Sequence, residues 1–115
     1  ALGCAQIEQL HKYISYKRDL SKKYFNFFNH MDSVDFQKEF DNSKSNFWLN
    51  AIILKDKPSR DNFLKETNSN GIMTRPIWSL INNLEMFKKC PKGILDNASW
   101  LQERVVNIPS GVRIK

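Results

Sequence analysis

The sequence has 115 residues, 41% of them hydrophobic and 26% charged. That balance folds as one domain with its own core, and excludes both a disordered chain and two ordinary domains. The formal net charge is +6, and no apolar run approaches the roughly 20 residues of a membrane-spanning helix.

The cations are spread along the chain and interleaved with acids. The densest groups, Lys17-Arg18, Lys22-Lys23 and Lys88-Lys89, fall short of a basic tract of about 5–8 residues. Nucleic-acid binding is therefore not expected, and a solvated face is the ordinary explanation. Attraction to an anionic small molecule such as a nucleotide diphosphate is equally compatible. The two cysteines, Cys4 and Cys90, are far apart and form no disulfide framework, as expected of reduced thiols in a cytoplasmic protein. No secretory signal opens the chain, and its first residue is not methionine. A processed protein or a piece of a longer one is expected.

Ile7, Leu10, Ile14, Ser21, Tyr24 and Phe28 recur at helical spacing, which predicts a helix over residues 2–29. Such a helix would run roughly 40 Å at 1.5 Å per residue. That exceeds what a small domain needs and implies a further packing partner. Residues 30–45 are polar and turn-rich, with Val34, Phe36 and Phe40 available for a short edge strand or a packed loop. Residues 47–54 are apolar at nearly every position and read as a strand buried on both faces. Asn50 interrupts that run and needs hydrogen-bond partners if buried.

Pro58 suits the first turn of the next helix, Asp61 favours its dipole, and Asn70-Gly71 closes it with a left-handed cap. Phe63, Leu64 and Thr67 form its inner face. A strand comes next, and Pro76 confines it to an edge or an end because proline cannot donate to a ladder. Residues 78–88 read as a short helix or two turns. Asp96 or Asn97 can cap a helix to about Arg104, with Leu101 and Val105 inward, before a strand over residues 105–108. The fold class is α+β: a long N-terminal helix and a small, mainly antiparallel sheet packed by helices.

Little in the residues suggests a self-sufficient catalyst. Two histidines and two distant cysteines do not make a zinc site, and four scattered glycines do not make a phosphate-cradling loop. A Cys–His nucleophile pair stays open in principle, but Cys4 sits in the helix pattern as a packed small residue. Glu8 and His11 are i,i+3 neighbours that read as surface partners.

The stretch Gly71-Ile72-Met73-Thr74-Arg75-Pro76-Ile77-Trp78-Ser79-Leu80 resembles the C-terminal part of the DegT–StrS family of sugar-nucleotide aminotransferases. Three further blocks are similar in the same order: residues 1–10, 45–50 and 97–110. The run Gly-Ile-Met-Thr-Arg-Pro-Ile-Trp looks closest to the branch making 4-amino sugars of the legionaminic or bacillosamine type. The resemblance implies the C-terminal small domain of a fold-type I, pyridoxal phosphate-dependent aminotransferase. Residues 1–29 would be an interdomain helix and residues 45–115 the small-domain core. The family's large N-terminal domain, which supplies the Schiff-base lysine and binds the cofactor, has no counterpart in these residues.

The same resemblance implies amination of a 4-keto nucleotide-linked sugar, with glutamate as donor, for bacterial surface polysaccharide or nonulosonic acid biosynthesis. A cytoplasmic homodimer is implied for the full-length protein, with this segment inactive alone. No catalytic, cofactor or metal residue is assigned within this chain. Arg75 and Trp78 are expected to bind substrate: a guanidinium fork suits phosphate or carboxylate, and an indole can wall a sugar. The competing readings are a surface ion pair for Arg75 and a packing anchor for Trp78. Trp48 and Trp100 are expected in the core. A non-catalytic interaction or regulatory module of the same fold is the alternative function.

Overall fold

The computed structural model describes residues 1–112. Four strands, β1 (Val34–Phe36), β2 (Asn50–Leu54), β3 (Arg75–Pro76) and β4 (Val105–Ile108), form one sheet of order β1-β2-β4-β3. Every neighbouring pair is antiparallel. Four α-helices accompany it: α1 (Leu2–Glu8), α2 (Leu10–Phe28), α3 (Lys57–Ser69) and α4 (Asp96–Gln102). The α+β class expected from the pattern is the one observed.

The register explains the core. Ile52 lies opposite Phe36 on one side and Val106 on the other, and Asn50 lies opposite Ile108. Side chains two apart in a strand share a face, so Ile52, Leu54, Val106 and Ile108 present one apolar surface. Tyr24, Phe25 and Phe28 of α2 cover it together with Phe63 and Leu64 of α3. Phe28 and Phe36 stack with ring centroids 6.4 Å apart. Ile52 and Val106 are wholly buried at the centre.

Several expectations need correction. The single long helix is two, broken at Gln9, whose N–H bonds the Gln6 carbonyl at 3.2 Å, three residues back, in place of the four-residue α-helical step. No residue of α1 is buried, so no tertiary packing holds the helix continuous through that point. Cys4, expected to pack, is exposed with the rest of α1. The strand expected over 47–54 begins only at Asn50, because Phe47 has a left-handed φ of 47° that takes the chain out of the sheet. That strand is sealed on one face and half-covered on the other. Trp48 and Trp100 are therefore not core residues: both are exposed. Arg104 lies over the Trp100 ring at 4.6 Å. Leu101 is also exposed, whereas Val105 is buried as expected.

Other expectations hold. Pro58 lies in the first turn of α3 as expected, but Asp61 lies beyond that turn, and the acid at the helix start is instead Asp56, which caps it by accepting from the Ser59 N–H at 2.8 Å. Gly71 takes a φ of 75°. The Ile72 N–H reaches the Thr67 carbonyl at 2.9 Å and the Gly71 N–H reaches that of Asn68 at 3.1 Å. These two bonds are the paired closure of a Schellman cap. Residues 81–83 and 85–87 form two short 3-10 turns. Asp96 starts α4, but no side chain caps it. Among the described residues no helix is long and apolar enough to cross a membrane.

Candidate functional site

The closure of α3 positions Arg75. Thr74, just before it, is buried. Its hydroxyl lies 2.5 Å from that of Thr67, and Asn68 Nδ2 donates to the Thr74 hydroxyl at 3.0 Å and to its carbonyl at 3.1 Å. Thr67 in turn donates to the Phe63 carbonyl at 2.7 Å. The backbone ahead of Arg75 is thus bonded to the last turns of α3 before it joins β4, with Arg75 opposite Asn107. Pro76 lies on the edge strand, as its missing N–H requires. The Arg75 side chain is exposed, and no hydrogen bond or ion pair to it is recorded among the described residues. The ion-pair reading of Arg75 has no support in this geometry.

Trp78 comes where the chain leaves the sheet, the Ile77 N–H making a last bond to the Val105 carbonyl at 3.3 Å. Its indole stacks on that of Trp48, with centroids 6.2 Å apart and an interplanar angle of 23°. Trp48 is 66% and Trp78 64% exposed. Two large apolar rings therefore cover one another yet remain open to solvent, so Trp78 is not anchored in the core. Such offset stacking is the geometry aromatic pairs prefer.

Trp48 is held from below. Lys17 of α2 donates to the Trp48 carbonyl at 3.0 Å and to the Ser110 carbonyl at 2.8 Å. Burial lowers the Lys17 pKa from the ordinary lysine value. Buried Asn50 gains the partners it needs from Ser110, whose hydroxyl accepts its N–H at 2.8 Å and its Nδ2 at 3.2 Å, while Asn50 Oδ1 has no partner. Tyr24 donates to the Pro109 carbonyl at 2.9 Å. Next to Lys17, Arg18 forms a fork with both Glu39 oxygens at 2.9 Å and donates to the Ser45 carbonyl at 2.6 Å. The Ser45 N–H also donates to Glu39. These contacts hold the Glu39 carboxyl below the usual carboxylate range, the Arg18 hydrogen bond contributing most and that of Ser45 next.

Sequence reasoning named Arg75 and Trp78 for the site, placed Trp48 in the core and gave Lys17 no part in it. Trp48 sits in the most apolar run of the chain, and only the polar Ser45-Asn46 before it hints at a turn. Lys17 carries no local signal, since its partners lie 31 and 93 residues away.

A further apolar recess lies elsewhere, against α2 and β1. A cavity of about 270 Å³ is lined by Phe25, Phe36, Phe47, Lys22, Lys38 and Glu39, among others. Glu39 is engaged by Arg18, and the Lys38 ammonium lies 4.9 Å from the Phe25 ring centroid. No glycine lines it. Its acid is already engaged, and it offers no glycine-lined phosphate cradle, so pyridoxal phosphate does not fit there. Lys17 is unsuited to a Schiff base while it holds two carbonyls. Among the described residues no group of three or more His, Cys, Asp and Glu could hold a metal.

The geometry defines an α+β domain whose edge strand carries an exposed Arg75, three residues before a Trp78 that stacks on Trp48. The profile of the DegT/DnrJ/EryC1/StrS aminotransferase family matches residues 1–115, and the chain belongs to that family. It is 28% identical over 86 residues to a putative pyridoxal phosphate-dependent aminotransferase, EpsN, of Bacillus subtilis, covering 75% of this chain and 22% of that one. It is 27% identical over 112 residues to the GDP-perosamine synthase of Escherichia coli O157:H7, covering 96% of this chain and 29% of that protein. Among solved structures, the aminotransferase TlmJ from Streptoalloteichus hindustanus superposes with a TM-score of 0.85 at 16% identity, over 94% of this chain and 29% of the other. The chain thus spans less than a third of the length of each of these proteins.

Proposed function

We propose that this chain is the C-terminal small domain of a pyridoxal phosphate-dependent aminotransferase that aminates a 4-keto nucleotide-linked sugar. Family membership supports the reaction class, and the names of the two relatives support the cofactor and the nucleotide-sugar substrate. When bound, that cofactor supplies the electron sink and exchangeable carbonyl of amino transfer. The lysine that carries it and the pocket that holds it belong to the large domain. On this reading the domain alone is inactive. Glutamate is the amino donor, and the full-length enzyme is a cytoplasmic homodimer serving bacterial surface-sugar or nonulosonic acid synthesis. The Gly71–Trp78 wording favours the 4-amino-sugar branch.

This chain contributes one wall of the substrate site. The observation that carries the assignment is Arg75, exposed on an edge strand with no recorded partner, three residues before an exposed, stacked tryptophan. A free guanidinium fork receives a phosphate bidentately, and an indole face offers a sugar or base an apolar plane. In the full-length enzyme, Arg75→Ala is expected to raise KM for the nucleotide sugar and leave the cofactor absorbance unchanged. Unchanged substrate kinetics would remove Arg75 from the site.

A further inference from the structure

Lys17-Arg18 stands out in the sequence as a dense cationic pair that the substrate reading leaves unused. Both side chains turn toward one loop, residues 45–48. Lys17 holds its far end through the Trp48 carbonyl, 3.0 Å away, and ties that point to the Ser110 carbonyl at 2.8 Å, beyond β4. Arg18 holds its near end through the Ser45 carbonyl at 2.6 Å, and its guanidinium lies 5.4 Å from the Phe47 ring centroid. Glu39 closes the arrangement by accepting from Arg18 and from the Ser45 N–H. Within the loop, the Phe47 N–H donates to Ser45 Oγ and the Trp48 N–H to Asn46 Oδ1, each at 3.0 Å. These are local turns of the Ser and Asx kind.

The loop has reason to need such a clamp. Phe47 sits at a φ of 47°, a conformation disfavoured for an L-residue with a bulky side chain. A strained, exposed loop with no ladder bonds would otherwise sample many conformations, and Trp48 would sample them with it. Lysine suits the far end, since one ammonium can serve two carbonyls on different segments. Arginine suits the near end because its planar fork meets Glu39 with two nitrogens and still reaches Ser45.

We propose that Lys17 and Arg18 are positioning residues: they hold the 45–48 loop so that Trp48 stacks on Trp78 and the pair presents a fixed aromatic wall to the substrate. The kinetic half of this inference rests on the substrate reading given above, whereas the structural half does not.

The test uses the full-length enzyme. Stacked indoles give an exciton couplet in circular dichroism, and subtracting the spectrum of Trp78→Phe isolates the contribution of the Trp48–Trp78 pair. In Lys17→Met the couplet is expected to vanish, and KM for the nucleotide sugar to rise roughly tenfold to a hundredfold, as for a misplaced binding group. The kcat and cofactor band should change little. Lys17→Arg should restore much of both signals, and Lys23→Ala, altering an exposed neighbour on α2, should match wild type. Should Lys17→Met fail to fold, Arg18→Lys, which keeps the charge but not the fork, is expected to weaken the couplet and raise KM. A couplet that survives in Lys17→Met, or in Arg18→Lys where that replaces it, overturns the clamp. An unchanged KM in Trp78→Ala instead overturns the substrate reading beneath it, so the two failures are told apart.

Discussion

Arg75 differs from other arginines of this chain in being unspent. Arg18 reaches the Ser45 carbonyl, Arg60 that of Gln102 at 2.8 Å, and Arg104 those of Lys55 and Trp100 at 3.1 and 3.0 Å. Part of the positive charge that invites a nucleic-acid reading is thus internal carbonyl binding, which composition cannot distinguish from a ligand footprint. The Arg75 fork has no such duty recorded. Its backbone is fixed by Thr74, and Thr74→Val would strip the hydroxyl that Thr67 and Asn68 share. We expect that substitution to cost about 0.5–1.5 kcal/mol in denaturant unfolding, the range for an ordinary hydrogen bond, since Thr67 keeps the Phe63 carbonyl and Asn68 those of Leu64 and Thr74. It should also raise KM for the sugar nucleotide as Arg75 drifts. At Gly71 the cost is purely conformational: φ is 75°, and an added Cβ would meet nothing within 4 Å. Gly71→Ala should therefore destabilise by about 1–2 kcal/mol without altering packing. A loss well above that would point to a contact absent from this geometry.

At the scale of elements, the 45–48 loop has a pH dependence set by Glu39. Its pKa is depressed in the folded chain, chiefly by Arg18 and then by the Ser45 N–H. The stabilisation is therefore fully present above the ordinary glutamate pKa and is lost as pH falls through the depressed value. The Trp48–Trp78 couplet should persist at and just below the ordinary glutamate pKa and fade only under more acid conditions. A couplet that fades in step with an ordinary glutamate would contradict the Arg18–Glu39 contact. The same loop marks where pattern reading stops working. Helix α3 and its C-terminal cap were legible because Pro58 and Asn70-Gly71 act locally, and β4 because Pro109 ends an apolar run. The start of β2 was not. Residues 47–49 are as apolar as those after them, and only the left-handed Phe47, set by contacts from α2, moves Trp48 out of the sheet. In the candidate site Arg75 and Trp78 were readable from one contiguous stretch. Their neighbours Trp48 and Lys17 come from distant segments, and no local period records them.

Across the whole molecule, exposed apolar surface gathers where the sheet does not reach. On α1, Leu2 is 77% and Ile7 69% exposed. A second group, Ile81, Met86 and Ile94, lies between β3 and α4, also largely exposed. The helical periodicity that predicted a buried stripe was correct in spacing and silent about what covers its first turns. Such surface is expected to drive association of the 115-residue chain on its own. Ile7→Glu should shift it toward monomer in sedimentation without lowering Tm, and an unchanged distribution would place the contact elsewhere. Placing the catalytic set in a large domain implies that α1 meets partner surface in the full-length enzyme.

The decisive measurement is the intact mass of the native polypeptide, captured from its own cells with an antibody to this domain. Its transamination of a 4-keto nucleotide sugar with glutamate would be assayed alongside. A polypeptide several times longer than 115 residues that binds pyridoxal phosphate and aminates the sugar is the expected result. A native chain of about 115 residues with no such partner subunit, or a longer one without aminating activity, would contradict the assignment.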